Sequence, residues 1–190
     1  MRSLILAGGR SSRMGRDKAM IEIDGCSLIC RVAKALSNAS LEPIRIAVSN
    51  PEDADKYGRT IDDGLEIEWV VDSDPHAGPI EAIIEAVFDK RVGSSPIQLS
   101  PVDVPWITPE LFLSLADSLK ADDVLAMPND GVWSHPLLGL IRPEAVGNFL
   151  MRDRRPLHRQ FSEARHSLLM VDPKLIWNVN YPEDLERYSS

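Results

Sequence analysis

Apolar and polar positions along this chain alternate in a strand, loop, helix rhythm. Short apolar runs at 4–6, 44–48, 66–71 and 97–99 are each followed by a polar turn and then by a segment of helical period. Helices are expected at 28–36, 79–88 and 109–119, the last with Thr108 as its N-cap and Pro109 at the first helical position, where a missing N–H costs nothing. The second half is less regular. It predicts strands near 124–127, 137–141 and 168–171, a helix after Pro143, and a final helix opened by Tyr181-Pro182-Glu183-Asp184. Strands separated by helix-length segments build βαβ units, so the pattern predicts an α/β fold on a mostly parallel sheet. No repeat, low-complexity tract or long linker interrupts it, and residues 1–190 read as a single domain.

Composition narrows the function classes. A chain of 190 residues that is 44% hydrophobic can bury one sizeable core but not two comfortable α/β cores. The formal net charge of -8 argues against general nucleic-acid binding, so a phosphate ligand has to be met by local cations or by a metal ion. There is no apolar run of about 18 residues, and Met1-Arg2 leads into a strand without the apolar core of a signal peptide, which predicts a cytoplasmic protein. Cys26 and Cys30, four apart at the first helix, read as free core thiols. His76, His135, His158 and His166 lack the spacing of metal ligands.

In an open parallel sheet, ligands bind beyond the carboxyl ends of the strands. Polar groups gather there: Gly8-Gly9 after the first strand, Ser49-Asn50 after the second, Asp72 after the third and Asp103 after the fourth. The glycine pair lets a ligand approach backbone N–H groups without interference from Cβ atoms, and Arg13 and Lys18 follow with positive charge. Two familiar phosphate motifs are excluded. Arg16 and Asp17 separate Gly15 from Lys18, against the direct Gly-Lys-Ser/Thr of a P-loop, and the three spaced glycines of a dinucleotide fingerprint are missing. Asp103, past an apolar strand and flanked by Pro101 and Pro105, suits a magnesium ion, which takes one or two protein carboxylates and fills its other positions with water and substrate phosphates. A turn aspartate between prolines is the plainer alternative.

The segment Leu6-Ala7-Gly8-Gly9-Arg10-Ser11-Ser12-Arg13-Met14-Gly15-Arg16-Asp17-Lys18 resembles the LAGGxSxRMGxxK signature of the MobA-like nucleotidyltransferases, and within them the molybdenum cofactor guanylyltransferases. Further elements follow in the family's order. Val102-Asp103-Val104-Pro105 is similar to its CDxP element, with Ser100-Pro101-Val102 in place of the usual Pro-Cys, and His135-Pro136 to its HPxxxL element. Asn178-Val179-Asn180-Tyr181-Pro182-Glu183-Asp184-Leu185 is similar to NxNTPEDL, and Arg154-Arg155 to an Arg-Arg turn. One departure falls after Asp72, where Gly78-Pro79-Ile80-Glu81-Ala82 replaces Gly-Pro-Leu-Ala-Gly.

The resemblance implies a Rossmann-like three-layer sandwich of the nucleotide-diphospho-sugar transferase kind. It also implies transfer of GMP from GTP to molybdenum-bound molybdopterin, with release of pyrophosphate. On it, Leu6, Ala7, Gly8, Gly9, Lys18, Ser49, Asn50, Asp72 and Asp103 would bind GTP. Lys18, Arg13 and Asp103 would serve catalysis, with Asp103 holding Mg2+, while His135, Arg154, Arg155, Asn178 and Asn180 would face the molybdopterin substrate. Molybdoenzymes and other cofactor-biosynthesis proteins are the implied partners, with neither nucleic acid nor membrane among them. The alternatives are a related transferase using CTP or another acceptor, such as cobinamide phosphate, and a GTP-binding protein without catalysis.

Overall fold

The computed structural model describes residues 1–8, 17–74, 78–91, 93–153, 155–181 and 183–186. Its strands are β1 (Arg2–Leu6), β2 (Glu22–Ile23), β3 (Cys26–Ser27), β4 (Ile44–Val48), β5 (Ile67–Val71), β6 (Ile97–Pro101), β7 (Leu125–Asn129), β8 (Leu140–Ile141) and β9 (His166–Met170). Its helices are α1 (Leu28–Asn38), α2 (Pro51–Gly58), α3 (Pro79–Phe88), α4 (Pro109–Ser118), α5 (Pro143–Leu150), α6 (Leu157–Glu163) and α7 (Glu183–Glu186).

Seven strands form one sheet in the order β5-β4-β1-β6-β8-β7-β9. Only β8 runs against the rest, pairing antiparallel with β6 and β7 on either side. From β1 the chain winds outward through β4 to β5, then returns to lay β6 on the other flank of β1. That reversal is a topological switch point, where the loops leaving β1 and β6 diverge and open a crevice.

Alternate strand residues serve opposite faces of the sheet. Ile5, Ile44, Ile46 and Val48 pack with α1 (Ile29, Val32, Ala33, Leu36) and α4 (Leu111, Phe112, Leu115). Leu4, Ala47, Leu99 and Met127 pack with α3 (Ala82, Ile83, Ala86), α5 (Val146, Leu150) and α6 (Leu157, Phe161). Both faces are covered, so the central strands read as apolar runs rather than as alternating patterns, and the result is the three-layer sandwich expected.

The structure departs from the sequence pattern in four places. Asn50 caps a helix, α2, whose single buried residue is Tyr57; a sequence as polar as Pro-Glu-Asp-Ala-Asp-Lys-Tyr-Gly shows no apolar face. α6 follows the basic run at 152–155. The strand expected at 137–141 is a 3-10 turn, Pro136–Leu138, followed by the two-residue β8, because Pro136 has no N–H to give a ladder. Cys26 lies on β3 rather than on α1, in a hairpin whose Asp24-Gly25 turn has φ of 53° and 74°, the turn that a two-residue connection favours. Both cysteines are free, and burial together with the neighbouring Cys26 pushes the Cys30 thiol up to about 11, leaving it protonated and inert at neutral pH. Among the described residues no helix is long and apolar enough to cross a membrane.

Candidate active site

The carboxyl ends of β1, β4 and β6 open into a cavity of about 560 Å³, within the size range of small-molecule sites. Leu6, Ala7 and Gly8 form its wall at the end of β1, Asp72 reaches in from the end of β5, and Asp103 from the turn after β6. The opposite wall is the start of α3, with Gly78, Pro79 and Ala82, so the alanine that replaces the expected glycine presents its methyl to the cavity. Ser134, His135 and the turn Pro136–Leu138 close the far side, and Asn178 comes from the C-terminal segment.

Gly8 shows why a residue without a side chain stands there. A Cβ built on it would lie 2.6 Å from Asp72 Oδ2 and 3.2 Å from Ser49 Oγ. The carboxylate of Asp72 therefore packs directly over the β1 loop, with its backbone N–H bound to Val48 O at 2.9 Å. Ser49 is buried under this contact, supporting the loop rather than lining the cavity.

Lys18 begins a 3-10 turn whose N-cap is Asp17, accepting from Ala19 N at 3.1 Å. Asp17 also accepts from Lys56 Nζ at 2.5 Å and from the Tyr57 hydroxyl at 2.9 Å, which ties the turn to α2. Burial, and then the Asp17 charge, raise the Tyr57 phenol far above its ordinary value, so it remains a donor at any physiological pH. From this anchored turn Lys18 Nζ reaches Asp103 Oδ2 at 3.3 Å and Asn180 Oδ1 at 2.7 Å. Asp103 is held in turn by its carbonyl, which accepts from Val179 N at 2.8 Å.

His135 Nε2 lies 3.0 Å from Asp130 Oδ2. Donation from the Trp133 backbone first, then from His135 and the Val132 backbone, holds the Asp130 carboxyl down at about 2. A carboxylate ionised at neutral pH thus orients the imidazole that lines the cavity.

Sequence reasoning brings together here Leu6, Ala7, Gly8, Lys18, Asp72, Asp103, His135, Asn178 and, through Lys18, Asn180. Residues 177–180 form no strand, and the two asparagines do different things: Asn178 lines the cavity while Asn180 holds Lys18. Asn50 stands elsewhere, its side chain accepting from Asp53 N at 2.9 Å and donating to Asp53 Oδ2 at 2.8 Å as the cap of α2. Arg155 is claimed by its own neighbours, donating to Asp153 Oδ2 at 2.7 and 2.9 Å and to Glu163 at 2.8 and 2.9 Å, so its charge is neutralised at the protein surface. Gly9, Arg13 and Arg154 lie outside the described residues. Sequence reasoning misses Asp17, which caps the turn of Lys18, and Asp130, which orients His135. The only signal for Asp17 was its place as a polar residue just before a turn, and that pattern is too common to single it out.

Gly8 under a carboxylate, with a lysine and an aspartate lining the same switch-point cavity, makes a polar pocket of small-molecule size. The profile of the MobA-like NTP transferase domain matches residues 3–166. The chain belongs to that family. Among relatives of this MobA-like domain, the molybdenum cofactor guanylyltransferase of Rhizobium meliloti is 30% identical, over 97% of this chain and 88% of that protein. The molybdenum cofactor guanylyltransferase of Photobacterium profundum is 27% identical over 97% of this chain and 93% of its own length. The crystal structure of molybdopterin-guanine dinucleotide biosynthesis protein A from Archaeoglobus fulgidus shares the fold, with a TM-score of 0.72 at 22% identity, covering 98% of this chain and 96% of that one. The MobA-like domain is therefore a nucleotidyltransferase.

Proposed function

We propose that the chain transfers GMP from GTP to the terminal phosphate of molybdenum-bound molybdopterin, acting in the cytoplasm as one domain over residues 1–190. The observation that carries this reading is the convergence of Lys18, Asp103 and Asn180 beside a nucleotide-sized cavity, in a chain whose relatives bear the name of that activity over nearly their whole length.

In the reaction, an acceptor phosphate oxygen forms a bond to the α-phosphorus of GTP. The bond from that phosphorus to the α,β-bridging oxygen breaks, and its electron pair departs with pyrophosphate. The nucleophile is already an anion, so no strong general base is required and the work is alignment and charge compensation. Lys18, with Arg13, offsets the charge that moves onto the leaving pyrophosphate. The backbone of Leu6, Ala7, Gly8 and Gly9 holds the guanine, with Asp72 above Gly8 on the nucleotide side. His135 and Asn178 face the acceptor, whose phosphate charge Arg154 would offset.

Magnesium fits the donor set. Among the described residues no three His, Cys, Asp or Glu side chains gather into a metal cage. An ion that keeps waters and takes phosphate oxygens needs only one or two carboxylates. Asp103 supplies such an oxygen at the cavity and would hold the ion, which contributes further charge neutralisation on the phosphates.

The test is pyrophosphate release by the purified chain with magnesium and molybdenum-bound molybdopterin. Release with GTP and not with CTP is the expected result. Equal use of CTP would reassign the protein as a cytidylyltransferase, and GTP binding without turnover on any acceptor would make it a binding protein.

A further inference from the structure

The C-terminal segment touches both charged residues of the site. Val179 N donates to the Asp103 carbonyl at 2.8 Å, and Asn180 Oδ1 accepts from Lys18 Nζ at 2.7 Å. This segment is itself held by one side chain: Asp184 Oδ2 accepts from Asn180 N at 2.8 Å and from Tyr181 N at 2.9 Å. The match to the family profile ends at residue 166, before Val179, Asn180, Tyr181 and Asp184.

We propose that Asp184 is a positioning residue for Lys18, acting through Asn180. The inference rests on the reading of Lys18 as a triphosphate ligand. A lysine side chain is a point charge on a flexible four-carbon stem, and left alone beside Asp103 it would collapse onto that carboxylate. The contact to Asn180 is shorter than the contact to Asp103, 2.7 against 3.3 Å. Its acceptor is a neutral amide oxygen, so it fixes the ammonium group without cancelling its charge. Lys18 meets Asp103 through Oδ2, and the contact to Asn180 sets where its ammonium group sits beside that carboxylate. This holds only while the Asn180 backbone stays in place, and the two bonds from Asp184 do that. A plain helix-capping role for Asp184 would stabilise the C-terminus equally well but would not couple to Lys18.

Calorimetric titration with GTP separates the two roles. Asp184→Ala and Asn180→Ala are each expected to weaken GTP binding roughly tenfold, the scale of a hydrogen bond to a charged group. Lys18→Ala should weaken it at least as much. The double variant Lys18→Ala/Asp184→Ala should bind about as Lys18→Ala does, because the second substitution acts only through the lysine. Asp184→Asn, which keeps an oxygen for both N–H groups, should bind within roughly threefold of the parent. Losses that multiply in the double variant, or parental affinity in Asp184→Ala beside a weakened Lys18→Ala, would overturn the positioning role while leaving the nucleotide reading intact. Parental affinity in Lys18→Ala would remove the nucleotide reading and this inference with it. If thermal melting shows Asp184→Ala to be unfolded at the assay temperature, the titrations move to a temperature at which it is folded; parental affinity in Asn180→Ala, which leaves both bonds of Asp184 in place, would by itself overturn the proposal.

Discussion

At the scale of single residues, the site is defined by two close approaches. The first is Asp72 over Gly8. Because a Cβ there would meet Asp72 Oδ2 at 2.6 Å, the obstacle to a larger residue is the protein's own carboxylate rather than an incoming base. Gly8→Ala should therefore displace Asp72 and lower kcat/KM for GTP roughly tenfold or more, and adding Asp72→Ala should cost little beyond either change alone, because both act on one contact. Steady-state kinetics of the two single variants and the double variant check this; fully multiplicative losses would show that the glycine serves something else. The second approach is Lys18 to Asp103. Asp103→Asn keeps the shape and the oxygen facing Lys18 but removes the charge that would hold magnesium. Turnover should fall more than roughly tenfold, with the melting temperature little changed. Near-normal magnesium-dependent turnover would take Asp103 out of the mechanism.

Among the elements, α2 is the one the site leans on indirectly. Tyr57 and Lys56 from this helix hold Asp17, and Asp17 caps the turn that starts with Lys18. The helix in turn is capped by Asn50. Asn50→Ala is expected to cost about 1 kcal/mol of stability, the usual loss for an N-cap. KM for GTP should change less than roughly twofold, since this side chain is engaged by Asp53. Denaturant unfolding and GTP kinetics on the same variant give both numbers. A large rise in KM at unchanged stability would return Asn50 to the nucleotide.

For the whole molecule, pH dependence on the acid side is set by carboxylates held below their ordinary range. Asp130 is lowered to about 2 by the Trp133 backbone, His135 and the Val132 backbone. Asp123 is lowered chiefly by Ser167, and Asp153 by Arg155. In each case the unfolded chain binds the proton more readily than the folded one. These groups therefore stabilise the fold fully above the ordinary carboxyl range near 3.8, and that contribution is lost as the pH falls below it, for Asp130 toward about 2. Urea unfolding between pH 6 and pH 2 should show stability flat at first and then falling below about pH 4, with a shallower fall in Asp130→Asn. An Asp130→Asn profile that parallels the parent would show that the Asp130 hydrogen bonds add nothing to acid stability.

Much of this protein was legible in its residues alone. The apolar runs placed β1, β4, β5 and β6, the Thr108-Pro109 pair opened α4, and the glycine loop with Lys18 and Asp103 named the rim where chemistry would be found. Those signals are local: apolar runs, capping residues and loop glycines act within a few positions of themselves. What the sequence could not decide was partnership. Lys18 and Asn180 lie 162 positions apart, and only the winding of the sheet brings them to 2.7 Å. Arg155 reads as a cation for an anionic substrate, but the fold sets Glu163 of α6 beside it, and Asn50 reads as a nucleotide contact, but its side chain caps α2. The reversed direction of β8 was equally hidden, because two apolar residues read the same in either direction, and only their neighbours β6 and β7 fix which way they run.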